Sequence, residues 1–179
     1  MPTNRPKGFP SELFGQLTTP VVKSARTFPH VPKSSVTLEI GDFWAIPLGT
    51  GRFACGRVMG KWPPTYNGAK RGFLAALLDW TGSDVPTFES IAGSKVLIEG
   101  GAHIKAIVDF GGAILGNRPL EMDGLEPGLY IEYPDNRTAH IWRGMEVLRV
   151  ATDEEIRRLK PLGIFGFAFL HSYANHHLK

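Results

Sequence analysis

One cysteine, Cys55, occurs in the 179 residues. An intrachain disulfide is therefore impossible, and cysteine-rich metal centres are excluded. Long apolar runs are also missing: the longest, residues 163–170, falls far below the about 18 residues that a membrane-spanning helix requires. Prolines occupy the N-terminal region where the apolar core of a secretory signal would lie, so a cytoplasmic location is expected. Glycine is plentiful at 21, yet no loop ends in Gly-Lys-Ser or Gly-Lys-Thr, and no G-x-G-x-x-G joins a strand to a helix. No serine stands in a G-x-S-x-G elbow.

Acidic residues are scarce in one region. Residues 1–33 carry five basic side chains (Arg5, Lys7, Lys23, Arg26, Lys33) against Glu12 alone, whereas the remainder holds 15 basic and 16 acidic residues. The net charge of +3 thus belongs to the N-terminal arm, and the body lacks the basic stripe on which nucleic-acid affinity depends. Six of the 14 prolines also fall in this arm. Its apolar residues (Phe9, Leu13, Phe14, Leu17, Val21, Val22) suggest an extended covering segment over residues 1–33, followed by a single β-rich domain over 34–179.

Titratable side chains do not group into a catalytic constellation. His171, His176 and His177 lack the i, i+4 spacing that would put the first on one helical face with a partner. His103 and His140 fall in strand patterns and could meet across a sheet, with structural hydrogen bonding as the expected role. Glu99, Asp109, Glu132 and Glu146 fall singly on separate strands. Cys55 lies inside a hairpin that is apolar on both faces, where a thiol acts as a small buried hydrophobe. Neither a metal nor a cofactor is expected.

What is present is a succession of short strands. Residues 42–48 and 52–59 read as a hairpin turning at Gly49-Thr50-Gly51, with Trp44, Ile46 and Leu48 on one face and Phe43 and Ala45 on the other. A short strand is expected at 36–40. Residues 73–80 suit a buried strand, and 86–92 a short helix opened by Pro86. Further strands are expected at 95–99 and 103–110, separated by Gly100-Gly101, and an apolar strand in 111–120 should run into a turn at Gly116-Asn117. Strands at 129–133, 138–142 and 146–150 follow. Thr152 and Glu155 predict a capped helix over 153–160, stopped by Pro161. The apolar tail, 162–179, should dock as a final strand or core-filling extension. The whole predicts a mainly β fold: a small, strongly bent sheet or partly open β-barrel with one or two short helices.

Two stretches carry a family resemblance. Gly41, Asp42, Phe43, Pro47, Leu48, Gly51, Gly56, Arg57 and Val58 form a Gly-Asp-aromatic strand ending in Pro-Leu, a glycine-bearing turn and a Gly-Arg-Val return. About 60 residues downstream, Ile114-Leu115-Gly116-Asn117-Arg118-Pro119-Leu120 forms an apolar-Gly-Asn-x-Pro-Leu segment. Both are similar to motifs of the immunity protein 26 family, over roughly residues 36–120. The resemblance implies a mostly β, non-enzymatic protein of a bacterial polymorphic-toxin system, which binds and neutralises a cognate toxin in the cytoplasm. The motif residues themselves are expected to be structural, with Arg57 pairing to Asp42 across the hairpin. Toxin recognition then falls to loops, with Trp62, Tyr66, Lys70, Arg71, Asp135, Asn136 and Arg137 as candidates. Two other readings of the residues stay open: a nucleic-acid- or peptide-binding barrel module resting on the basic arm and aromatics, and an enzyme with an undisclosed site. A homo-oligomer also stays open.

Overall fold

The computed structural model describes residues 26–65 and 68–178. Most of the expected arm and the candidate Tyr66 lie outside these residues. The chain is mainly β, arranged as two antiparallel sheets rather than one closed barrel. The larger sheet runs in the order β4-β3-β2-β1-β5, from Val96–His103 (β4), Gly72–Gly82 (β3), Phe53–Lys61 (β2), Asp42–Pro47 (β1) and Ile114–Asn117 (β5). The smaller comprises Leu129–Glu132 (β6), His140–Arg143 (β7) and Glu146–Val150 (β8) in sequence order. Register shifts interrupt the β2–β3 ladder between Ala54 and Gly56 and again between Val58 and Gly60, and such bulges bend a sheet.

The hairpin forms as its sequence demands. Gly51, at φ 78°, donates to the Leu48 carbonyl at 3.0 Å, and Leu48 closes the turn on Arg52 at 2.8 Å. Trp44, Ile46 and Leu48 enter the principal core with Phe73, Ala75 and Leu77 from β3. Phe43 takes the opposite face, packed with Cys55, Leu78 and Ile91. Both faces of the larger sheet are therefore covered. This explains the uniform apolar run of β3, since a strand buried on both sides has no polar face to alternate with.

Several local expectations are corrected. Residues 36–40 are not a strand. A 3-10 turn at Ser35–Thr37 forms instead, because Thr37 returns both its N–H (3.2 Å) and its hydroxyl (2.8 Å) to the Ser34 carbonyl, the local competition that Ser and Thr offer extended backbone. Residues 86–92 make turns rather than a helix. There Thr87 and Ser90 exchange side-chain-to-backbone bonds at 2.9 and 3.1 Å, while Ile91 is buried.

The Gly100-Gly101 pair does not separate two strands; β4 runs through it. A second backbone passes directly over these glycines, with Gly101 N–H donating to Gly163 at 2.8 Å and Phe165 N–H to Gly101 at 2.7 Å. Within 103–110 a short helix, Lys105–Val108 (α1), replaces the expected strand, and Ile104 and Ile107 turn one face to the core. Gly116 and Asn117 lie inside β5 opposite Phe43 and Asp42, not in a turn.

Helix Asp153–Arg158 (α2) carries the full capping box between Thr152 and Glu155. The tail ends as a helix, Phe169–His177 (α3), rather than a strand; Leu170 and Ala174, one turn apart, fill the core. Asn175 on α3 accepts the Gly49 N–H at 2.6 Å, tying the C-terminal helix to the hairpin turn.

Candidate functional site

The two sequence motifs meet in space, and their polar groups are consumed there. The Asp42 carboxylate is fully buried. It accepts two bonds from the Arg26 guanidinium at 2.8 Å each, the Glu39 N–H at 2.9 Å and the Asn117 side-chain amide at 2.9 Å. Gly41 donates to the Val58 carbonyl and accepts from Arg118 N–H. Gly56 lies opposite Trp44, and Gly116 opposite Phe43. A methyl on Gly56 would overlap the Trp44 indole, and one on Gly116 would lie 2.6 Å from the Phe43 ring. Pro47 closes β1 beyond the reach of β5, where its missing donor leaves no ladder bond unmade.

Arg57 does not pair with Asp42. Its guanidinium reaches Asp123 at 2.7 Å and the carbonyls of Arg118 and Pro119, all on the segment after β5. Arg118 grips the same carboxylate through Nε and Nη2 at 2.9 to 3.0 Å, and its guanidinium lies 4.6 Å from the Phe88 ring centroid. Burial pushes the Asp123 carboxyl up, but bonds from Arg118, the Gly93 N–H and Arg57 outweigh it and hold the group well below the usual carboxylate range. Asp42 meanwhile takes Arg26, which lies sixteen residues before it. No periodicity or short spacing discloses these partners, since Arg57 meets its own through the fold of β5 and its following turn onto the hairpin, and Asp42 meets Arg26 from the segment before β1. The motif residues build the scaffold and leave no reactive group exposed among them.

Nor do the other titratable groups assemble. Among the described residues no cluster of three or more His, Cys, Asp or Glu side chains could hold a metal ion. His103 and His140 stand in different sheets and do not meet. His171 stacks on Phe110 at 4.9 Å, and His177 meets the Tyr173 ring at a tilt, 4.1 Å between centroids, beside His176. Glu99 accepts the Tyr130 hydroxyl at 2.7 Å and the Gly128 N–H at 3.0 Å, while Glu132 accepts the Leu162 N–H at 3.1 Å. Cys55 is fully buried, and burial pushes its thiol far up against a smaller opposing pull from Arg57.

The surface offers a different kind of site. Trp62, immediately after β2, lays its indole across the backbone of β3 and β4. A Cβ on Gly72 would lie 2.8 Å from that ring, and one on Gly101 3.2 Å from it. Two hollows adjoin the indole. One, of about 220 Å³, is lined by Ser35, Val36, Lys61, Pro64 and Lys70; the other, of about 250 Å³, by Tyr130, Trp142, Met145, Leu162 and Ile164. The second hollow escaped the sequence reading, because its lining comes from β6, β7, the β7–β8 turn and the segment before α3. Of the recognition candidates, Trp62 and Lys70 line the first hollow, and Arg71 precedes Gly72 as an exposed side chain. Asp135, Asn136 and Arg137 are exposed in the β6–β7 connection and line neither hollow. There the Asp135 carboxylate accepts the Thr138 and Arg137 N–H groups, which hold it down to about 2.

No helix among the described residues is long and apolar enough to cross a membrane. No curated protein and no solved structure gives a significant match to this chain. The family model described as Immunity protein 26 matches residues 39–135, more than half of the sequence, taking in Asp42, Arg57, Asn117 and Asp123 but not Arg26, and the chain belongs to that family.

Proposed function

We propose that this chain is a cytoplasmic bacterial immunity protein that binds the toxin domain of a polymorphic-toxin system and neutralises it without catalysing a reaction. Membership of the immunity protein 26 family carries this reading. The site chemistry supports it, because the family motif spends its charged groups on buried internal bonds, leaving recognition to loops and surface aromatics. Residues 34–179 act as the binding domain, with 1–33 as a basic arm upon it.

Co-expression with the toxin encoded beside it is the direct test. Growth should be restored, and the purified pair should co-elute as a stable complex. Continued growth arrest with no complex formed would refute the proposal. An oligonucleotide titrated at increasing salt serves as the control for nucleic-acid affinity, which should be absent.

A further inference from the structure

Trp62 is half-buried, its indole seated at the surface on the sheet itself. It rests on two glycine backbones from adjacent strands, Gly72 and Gly101, and Ile164 covers Gly101 beside it. A ring seated on rigid sheet backbone loses little conformational freedom when a partner covers it, and such pre-organised aromatics act as binding anchors. Apolar surface continues on both sides: Val36 is 60% and Ile164 68% exposed, each lining one of the two hollows that the indole separates.

Four cations gather around this ring, while one carboxylate, Glu132, is among the residues that line the two hollows. Lys61 and Lys70 line the first hollow, Arg71 is exposed next to Gly72, and Lys105 extends over the Phe167 ring at 5.1 Å. Among the described residues none of these four cations makes an ion pair, whereas Arg26, Arg57, Arg118, Arg143 and Arg149 all do. His103, paired in register with Gly72, reflects the same field: burial lowers its affinity for a proton, and Arg71 and Lys105 lower it further, against a smaller opposing pull from Asp109. Glu132, which lines the second hollow, accepts the Leu162 N–H with its carboxylate.

We infer that Trp62 and the cations Lys61, Lys70, Arg71 and Lys105 form the surface that meets the toxin, and that the toxin presents an acidic loop with an apolar residue at its tip. This inference rests on the proposed function. The apolar tip enters a hollow beside the indole, and the carboxylates around it meet cations that make no ion pair among the described residues, Lys61 donating only to the Val36 carbonyl and Lys105 lying only over the Phe167 ring. Steering by these charges speeds the encounter, while the buried ring sets how long the complex lasts.

The test uses the full chain and the adjacent-encoded toxin domain, inactivated by a point substitution in its own active site. Trp62→Ala should weaken the complex about 30-fold or more, chiefly by faster dissociation. The exposed pair K70E/R71E, which leaves the packing untouched, should slow association about tenfold at low salt and flatten its salt dependence. Circular dichroism and thermal melting check that each variant is folded. If both folded variants bind as the wild type does, the surface is wrong while the function stands; D135A/R137A weakening the complex instead would move the contact to the β6–β7 connection. No binding by the wild-type chain overturns both the surface and the function.

Discussion

Asp42 opens β1 and Asn117 closes β5; the two are partners in register, and the Asn117 side-chain amide donates to the Asp42 carboxylate at 2.9 Å. The same amide donates to the Ile40 carbonyl at 2.9 Å. One side chain therefore fixes both the start of β1 and its pairing with an edge strand 75 residues away. An aspartate is required because four donors converge on it from Arg26, Glu39 and Asn117, more than a neutral amide could accept.

Replacing Asp42 by Ala leaves those donors unmet and the Arg26 guanidinium with only the longer contact to Glu39, at 3.4 Å. The expected loss is about 3 kcal/mol in urea denaturation. R26A/D42A together should cost less than the sum of the single changes, because the pair is directly coupled. Additive costs would show that the bidentate contact is energetically idle.

The glycines of the hairpin divide into two kinds. Gly56 is a seat for the Trp44 indole, so Gly56→Ala should cost about 3 kcal/mol through overlap in a core that cannot yield. Gly51 has φ 78° but open space around it; Gly51→Ala should cost only about 1 kcal/mol of backbone strain. Equal effects in thermal denaturation would contradict the distinction.

Legibility in the sequence followed the range of the interaction. The hairpin, β3, the three strands of the smaller sheet and the Thr152 capping box were readable, because alternation, uniform burial and caps are local signals. Val36, Leu38 and Ile40 imitate a strand, yet only Leu38 is buried and the backbone turns on Ser34. Gly100-Gly101 looked like a break because the segment that crosses it, bridged at Ile164, is 63 residues beyond Gly101 in the chain. The partners of Asp42 and Arg57 were exchanged for the same reason: cross-strand proximity suggested one another, while distant arginine and aspartate residues supplied better-enclosed contacts. At the surface, Trp62 and Lys70 could be named as exposed types, but the glycine floor under the indole emerges only when β3 and β4 pair.

Cys55 is expected to be inert in the folded protein. Burial removes it from solvent and disfavours its thiolate, the form that reacts. A disulfide reagent should modify it roughly a thousandfold or more slowly in buffer than in denaturing urea, at a rate set by unfolding. Rapid labelling of the native chain would show that the Phe43 side of the sheet opens locally.

The Arg57–Asp123–Arg118 cluster makes stability depend on acid in a defined direction. Because the folded state holds the Asp123 carboxyl well below its unfolded value, the ionised group contributes stability that is fully present above about pH 4 and lost as pH falls below it. Glu99 acts in the opposite sense: burial pushes its carboxyl up against the Tyr130 and Gly128 bonds, so the folded state keeps that proton more readily. Asp123→Asn isolates the cluster, since the contributions of Glu99, Asp135 and Glu155 are common to both proteins and cancel in the difference. At neutral pH the variant should be about 3 kcal/mol less stable, because two arginine side chains lose the one carboxylate between them. The gap should narrow as pH drops below about 4, where Asp123 of the unfolded wild-type chain begins to take up a proton that the folded state refuses. Urea denaturation curves collected across that range measure it, and a gap that stays constant with pH would show that folding does not lower the Asp123 carboxyl.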